Sequence, residues 1–258
     1  MIVDAHAHAW PTWPYPGDAV PCDTDALMHS LDANGVDQAL VVAARLGGQS
    51  GNNEYVMHAA REHPDRLWAA VEVGAFFGPP SEGAADDLRR LIDAGPVSAV
   101  ALFPDPAAPG WLTSGTGRAV LDIAAEHRLL VSIAAPPSLQ ADLRVVAALY
   151  PALTFLMHHA GMVPERDDLA QVTQTAAAPN VYVKLSGLHY SDLDHSELVN
   201  TLAAAYGYHR LAWGSDFPSS LRREVSYAQA LGIVREQIPP NDRPAVLGGT
   251  MMSLLSAR

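Results

Sequence analysis

Short apolar, β-branched runs alternate along this chain with longer stretches whose apolar positions recur at helical spacing. The short runs fall at residues 2–8, 36–43, 67–75, 97–103, 129–134, 153–159, 180–186 and 211–216 and predict eight strands. Most are continuously apolar, as parallel strands covered on both faces are. Between them, Thr24 can cap a helix ending at Asn34-Gly35, and Asn53 one ending before Pro64. Residues 81–94 close on Gly95, and further helices are predicted at 118–128, 138–149, 166–178, 195–206 and 222–236, with an extra one at 243–255. Eight strands, each followed by a helix, predict a single-domain (β/α)8 TIM barrel; a doubly wound open sheet is the alternative.

Composition fits such a body. The 258 residues are 49% hydrophobic and 17% charged, enough apolar material for a large core. The formal charge of −12 and the absence of any Lys/Arg run argue against nucleic acid and anionic membranes as partners. A small-molecule substrate is the expected partner. Cys22 is the only cysteine, so an intrachain disulfide and a thiolate metal cluster are excluded. The first ten residues lack the basic and apolar regions of a secretory signal, and no apolar run approaches the roughly 20 residues of a membrane span, so a cytoplasmic location is expected.

The first predicted strand carries the sharpest chemistry. In Asp4-Ala5-His6-Ala7-His8, strict alternation places Ile2, Asp4, His6 and His8 on one side. Two imidazoles two residues apart at a strand end can share one metal ion. Asp216 ends the eighth strand, which lies beside the first in a closed barrel. Its carboxylate can ligate the ion or take a proton from water, although an Asp before Pro218 also suits a turn. Met157-His158-His159-Ala160-Gly161 ends the sixth strand; one of the two histidines should face the lumen, and the following Gly favours His159. On the seventh strand Val181, Val183 and Leu185 form the helix-facing side and Tyr182, Lys184 and Ser186 the lumenal one. A lumenal Lys184 must be paired or neutral, which makes it a catalytic candidate or half of a structural pair, with Glu72 as the possible partner. His189 and Tyr190 follow and can reach substrate. Arg45 closes the second strand, where it can clamp a carboxylate or lie solvated. His29, His58, His63, His127, His195 and His209 read as surface residues of helices. The loop at residues 10–23, with Trp10, Trp13, Tyr15 and four prolines, is a candidate wall or lid, and Phe76 and Phe77 extend an apolar surface suited to a ring-shaped substrate.

With Asp4-x-His6-x-His8, His159-Ala160-Gly161 and Gly214-Ser215-Asp216-Phe217-Pro218 in order, the chain resembles the amidohydrolase-related family of metal-dependent TIM barrels. That branch holds sugar lactonases, 2-pyrone-4,6-dicarboxylate lactonase and aminocarboxymuconate semialdehyde decarboxylase. Residues 53–66 and Val181-Tyr182-Val183-Lys184-Leu185-Ser186-Gly187 support a resemblance over essentially the whole chain, residues 1–258. It implies that His6, His8, His159 and Asp216 surround a divalent metal, zinc or manganese, or the substrate carbonyl itself in a metal-free enzyme. Three departures are visible. The fifth strand ends in Ala134-Ala135 where decarboxylase-type members have a histidine, which favours lactone hydrolysis over decarboxylation. Ala101 stands where an arginine is usual, which weakens a dicarboxylate substrate, and Thr250 stands where relatives have Asn. The expected activity is attack of an activated water on a small cyclic ester. Asp216 would act as base, Lys184 with His189 or Tyr190 would steady the oxyanion, and Trp10, Arg45 and Tyr190 would contact substrate. A decarboxylase and a non-catalytic binding barrel are the rival readings.

Overall fold

A computed structural model describes residues 1–15, 20–46, 51–78 and 81–257. Eight parallel strands follow one another around a single sheet: β1 (Val3–Ala7), β2 (Gln38–Val42), β3 (Leu67–Phe76), β4 (Ala99–Phe103), β5 (Leu130–Ile133), β6 (Phe155–Met157), β7 (Val181–Leu185) and β8 (Leu211–Trp213). The predicted TIM barrel is thus observed. Each strand is followed by its helix: α1 (Thr24–Ala33), α2 (Asn53–Glu62), α3 (Ala84–Ala94), α4 (Gly115–Glu126), α5 (Gln140–Leu149), α6 (Leu169–Gln174), α7 (His195–Tyr206) and α8 (Tyr227–Gln237), with α9 (Thr250–Ser256) added at the end. No helix among the described residues is long and apolar enough to cross a membrane.

Local capping shifts several predicted boundaries by a residue or more. Asp23 rather than Thr24 caps α1, its carboxylate accepting from Ala26 N–H at 2.8 Å. Ser114 caps α4, and a Ser226/Gln229 capping box starts α8 five residues later than the periodicity suggests, after a 3-10 turn at Ser219–Arg223. Asn53 starts α2 but does not cap it. Its amide instead brackets β3, accepting from Glu72 N–H at 2.7 Å and donating to Glu72 C=O at 2.8 Å.

The core has two layers. Val41, Val71, Val100, Val131, Phe155, Val181 and Leu211 pack outward against the helices, while Leu40, Ala70, Ala99, Leu130, Leu156 and Ala212 fill the lumen. In β1 the alternation breaks. The register against β2 shifts between Asp4 and Ala7, so Val3 and Ala5 join the lumenal layer while Ala7 and Ala9 join the outer one. This corrects the expectation that Asp4 shares a face with the histidines. The extra residue sends Asp4 toward α8, where Tyr227 O–H donates to its Oδ2 at 2.7 Å, and turns His6 and His8 inward. The ring closes beyond the end of β8, where Asp216 N–H donates to His6 C=O at 2.8 Å and His8 N–H to Phe217 C=O at 2.7 Å.

Candidate active site

These closing bonds place Asp216 beside the two histidines. Asp216 Oδ1 lies 3.5 Å from His8 Nε2 and 3.7 Å from His6 Nε2, and the two imidazole nitrogens are 3.2 Å apart. All three residues are buried. Asp4 holds the seam from outside: its Oδ1 accepts from the backbone N–H of both His6 and Ser215 at 2.9 Å, so one carboxylate fixes the backbone on either side. Asp216 itself has a left-handed φ of 58° and receives the Tyr190 hydroxyl on Oδ2 at 2.8 Å. Burial alone would raise its carboxyl. The His159 and His8 imidazoles and the Tyr190 hydroxyl outweigh that and hold it below the usual range.

Both histidines of β6 reach the lumen, where one was expected to point away. The strand stops at Met157, and His159 (φ 49°) and Ala160 (φ 54°) then adopt left-handed turns that swing His159 inward after His158. Both line the cavity, with ring centres 4.5 Å (His158) and 4.7 Å (His159) from His6. His159 Nδ1 is 3.1 Å from Ser186 Oγ. Burial, opposed by Asp216, lowers His159 to about 4, and burial together with the nearby Lys184 holds His6 and His158 well below the ordinary imidazole value.

Lys184 lies beneath His6 rather than in the cavity lining, and it does not meet Glu72, which pairs with Arg45 at 3.0 Å. Its Nζ donates to Ser132 Oγ at 2.7 Å, so the Ser132 hydroxyl donates to His158 Nε2 at 2.7 Å and the His158 proton sits on Nδ1. Lys184 Nζ is also 3.3 Å from His6 Nδ1. Across the site, His8 Nδ1–H donates to Val42 C=O at 2.6 Å, which leaves its Nε2 lone pair facing His6 and Asp216. Ser132 is not singled out by the sequence, and His158 stands there only as the alternative to His159, because their value lies in contacts between strands β5, β6 and β7.

Of the other expected contacts, Tyr190 lines the cavity, as do Phe76 and Phe77. Trp10 and Arg45 do not. Trp10 stacks on His8 with ring centres 5.1 Å apart, and with Arg45 and Glu72 it borders a separate, more open cleft. The loop after β1 therefore supports His8 through the chain of rings Trp10, Trp13 and Tyr15; its residues 16–19 lie outside the described residues. His189 packs against the Tyr190 ring at 4.3 Å, outside the cavity lining, with its Nε2 buried and unpartnered.

The donor set fits a divalent ion. Bonds of about 2.0–2.1 Å in a tetrahedron place ligand atoms roughly 3.3–3.4 Å apart. The three separations among His6, His8 and Asp216 are 3.2, 3.5 and 3.7 Å. His6 also belongs to an adjacent triad with His158 and His159. Ligation through His6 Nε2 requires its proton on Nδ1, where Lys184 must accept it as a neutral amine. Burial, opposed by Asp4, lowers Lys184 to about 7, so that form is accessible near neutrality.

Known proteins similar to this chain are found at several distances. L-Fucono-1,5-lactonase of Burkholderia ambifaria is 26% identical over 238 residues, covering 84% of this chain and 80% of that one. An amidohydrolase from Burkholderia multivorans, solved with bound zinc, superposes with a TM-score of 0.78 at 19% identity, covering 99% of each chain. A Pseudomonas putida protein described as a 2-pyrone-4,6-dicarboxylic acid hydrolase gives a TM-score of 0.76 at 23% identity, covering 99% of this chain and 97% of that one. The family model for amidohydrolases matches residues 3–254, and the chain, a hydrolase by that membership, belongs to the amidohydrolase family.

Proposed function

We propose that this enzyme opens a small cyclic ester by attack of water, with Asp216 as the base. The observation that carries this reading is the convergence of His6, His8 and Asp216, drawn from opposite ends of the chain onto one point of the cavity. Asp216 is held as a carboxylate, so it can take a proton from water at Oδ1 while Tyr190 fixes Oδ2. It can then return the proton to the alkoxide as the ring opens. His158 and His159 are neutral and line the same cavity, where their ring N–H groups can steady the oxygen on which charge develops. Lys184 acts as a positioning residue, orienting His6 directly and His158 through Ser132. A divalent ion, zinc or manganese, would be held by His6, His8 and Asp216 with His159 beside them, and when bound it supplies Lewis-acid polarisation of the ester carbonyl. The lactonase and zinc-bound relatives support this direction.

Replacing Asp216 by Asn keeps the shape and removes the base. Turnover of lactones, followed by acid release in a pH-indicator assay, should fall by about 10²–10⁴-fold with KM little changed. Full turnover in Asp216→Asn, or carbon dioxide release in place of acid release from ring opening, would sink the assignment.

A further inference from the structure

The cavity above the histidines has a volume of about 330 Å³, and its walls are chemically one-sided. Phe76, Phe77 and Phe103 interlock on one side, with ring centres 4.7 Å (Phe76–Phe103), 4.8 Å (Phe76–Phe77) and 5.6 Å (Phe77–Phe103) apart. Met162, Leu188 and Leu198 also line it. Among the described residues, the only full charge on the lining is the Asp216 carboxylate. The nearby cations are placed elsewhere: Arg45 on Glu72, Lys184 beneath His6, and Arg223 against the Tyr190 ring at 5.8 Å. Hydroxyl partners are equally scarce, since Tyr190 O–H is committed to Asp216 and the lining otherwise offers Ser191 and Ser219.

We infer that the substrate is an uncharged lactone carrying an apolar substituent, rather than a polyhydroxylated sugar lactone or a carboxylated pyrone. The fate of the ring rests on the proposed hydrolysis, while the class of ring follows from the walls alone. A carboxylate held away from the reacting carbonyl would lose its hydration against the phenylalanine wall and meet no Lys or Arg on the lining. A sugar hydroxyl turned toward Phe76, Phe77 and Phe103 would lose its water without a partner, because the polar lining groups lie on the histidine side and at Ser191 and Ser219. An alkyl or aryl group instead exchanges water for three aromatic faces and pays neither cost. With about 30 Å³ of liquid volume per water-sized group, the cavity holds on the order of ten non-hydrogen atoms. That matches a five- or six-membered lactone with a short chain.

The test has two arms. In the first, kcat/KM is measured on γ-lactones from butyrolactone to decanolactone, beside L-fucono-1,5-lactone and 2-pyrone-4,6-dicarboxylate. The expected rise is about threefold to fourfold per methylene, from about 0.8 kcal/mol per buried CH₂, levelling off near nonalactone. Highest kcat/KM on the sugar lactone or the dicarboxylate would overturn the substrate class while leaving lactone hydrolysis intact. In the second arm, binding of non-hydrolysable 4-alkylcyclohexanones is followed by calorimetry, which needs no turnover. Affinity that rises with chain length supports the apolar class even if no lactone is opened, in which case the hydrolytic reading fails alone. Affinity that is flat with chain length overturns it. Phe77 is 37% exposed, so Phe77→Lys should fold, and it places an ammonium on the wall. It should cut kcat/KM on nonalactone by about tenfold and flatten the gain per added methylene; a gain per methylene equal to that of the native enzyme would also count against the inference.

Discussion

The carboxylate of Asp4 makes a prediction that separates structure from chemistry. It never reaches the cavity, yet its two oxygens accept from His6 N–H, Ser215 N–H and Tyr227 O–H at 2.9, 2.9 and 2.7 Å. Three donors and a site at 0% exposure leave no water to replace it. Asp4→Ala strands two buried backbone N–H groups and a phenol, at about 1–3 kcal/mol each. Burial raises the Asp4 carboxyl, so removing the charge recovers part of that cost and places the expected loss near the low end, about 3 kcal/mol. Tyr227→Phe removes one charge-assisted bond and should cost about 1.5 kcal/mol. Because the two groups bond to each other, the double variant should be less destabilised than the sum, with a coupling of about 1 kcal/mol. Urea unfolding gives all four stabilities. Lactone turnover, measured where each variant is still folded, should fall in Asp4→Ala more than in Tyr227→Phe, because only the former releases the backbone of both His6 and Ser215. Strict additivity, or an Asp4→Ala loss below about 0.5 kcal/mol, would refute the reasoning.

Three further outcomes are expected. Gly187 has φ +56°, and a Cβ there would lie 2.6 Å from His159 Nδ1 and 2.7 Å from the Tyr190 ring; Gly187→Ala should cost about 1–2 kcal/mol by thermal melting and lower kcat disproportionately. Glu72, fully buried and pushed up to about 7 by burial despite Arg45, favours the folded state below its ordinary pKa of 4.5 and loses that contribution as pH rises toward 7. Urea midpoints between pH 5.5 and 8 should therefore show the native protein losing stability relative to Glu72→Gln by up to about 1.4 kcal/mol per pH unit until pH 7 and no further above it. Trp10→Ala removes the ring stacked on His8 and should cost about 3–5 kcal/mol while weakening binding of zinc added to the proposed site, as read by elemental analysis after incubation with zinc and dialysis.

Much of this was legible in the chain, and the reasons divide cleanly. Eight strands and their helices follow from apolar runs and periodicity, because a covered parallel barrel writes its layers directly into residue type. His6, His8 and Asp216 were recoverable because each ends a strand at one mouth of the barrel. Asp4 was placed on the wrong face because a single inserted residue in β1 reverses the alternation, and nothing in Asp-x-His-x-His announces a bulge. The sequence favours His159 over His158 because two adjacent strand residues should oppose each other; two left-handed residues, His159 and Ala160, evade that rule. Glu72 and Lys184 were offered as partners because both are buried charges, but pairing depends on which strand ends lie next to each other, and Glu72 lies nearer Arg45. Ser132 carries no signal until Lys184 and His158 are seen on either side of it.

The seam held by Asp4 also sets a timetable. The Asp4–Ser215 bond spans 211 positions of sequence, so the first strand waits for almost the whole chain before its histidines meet their carboxylate. A partly assembled barrel, however well its early units have packed, has two imidazoles and lacks the carboxylate proposed as the base. Activity regained on dilution from denaturant should therefore follow the docking of the last strand against the first, and never run ahead of it. The enzyme's chemistry is an internal witness that its ring has shut.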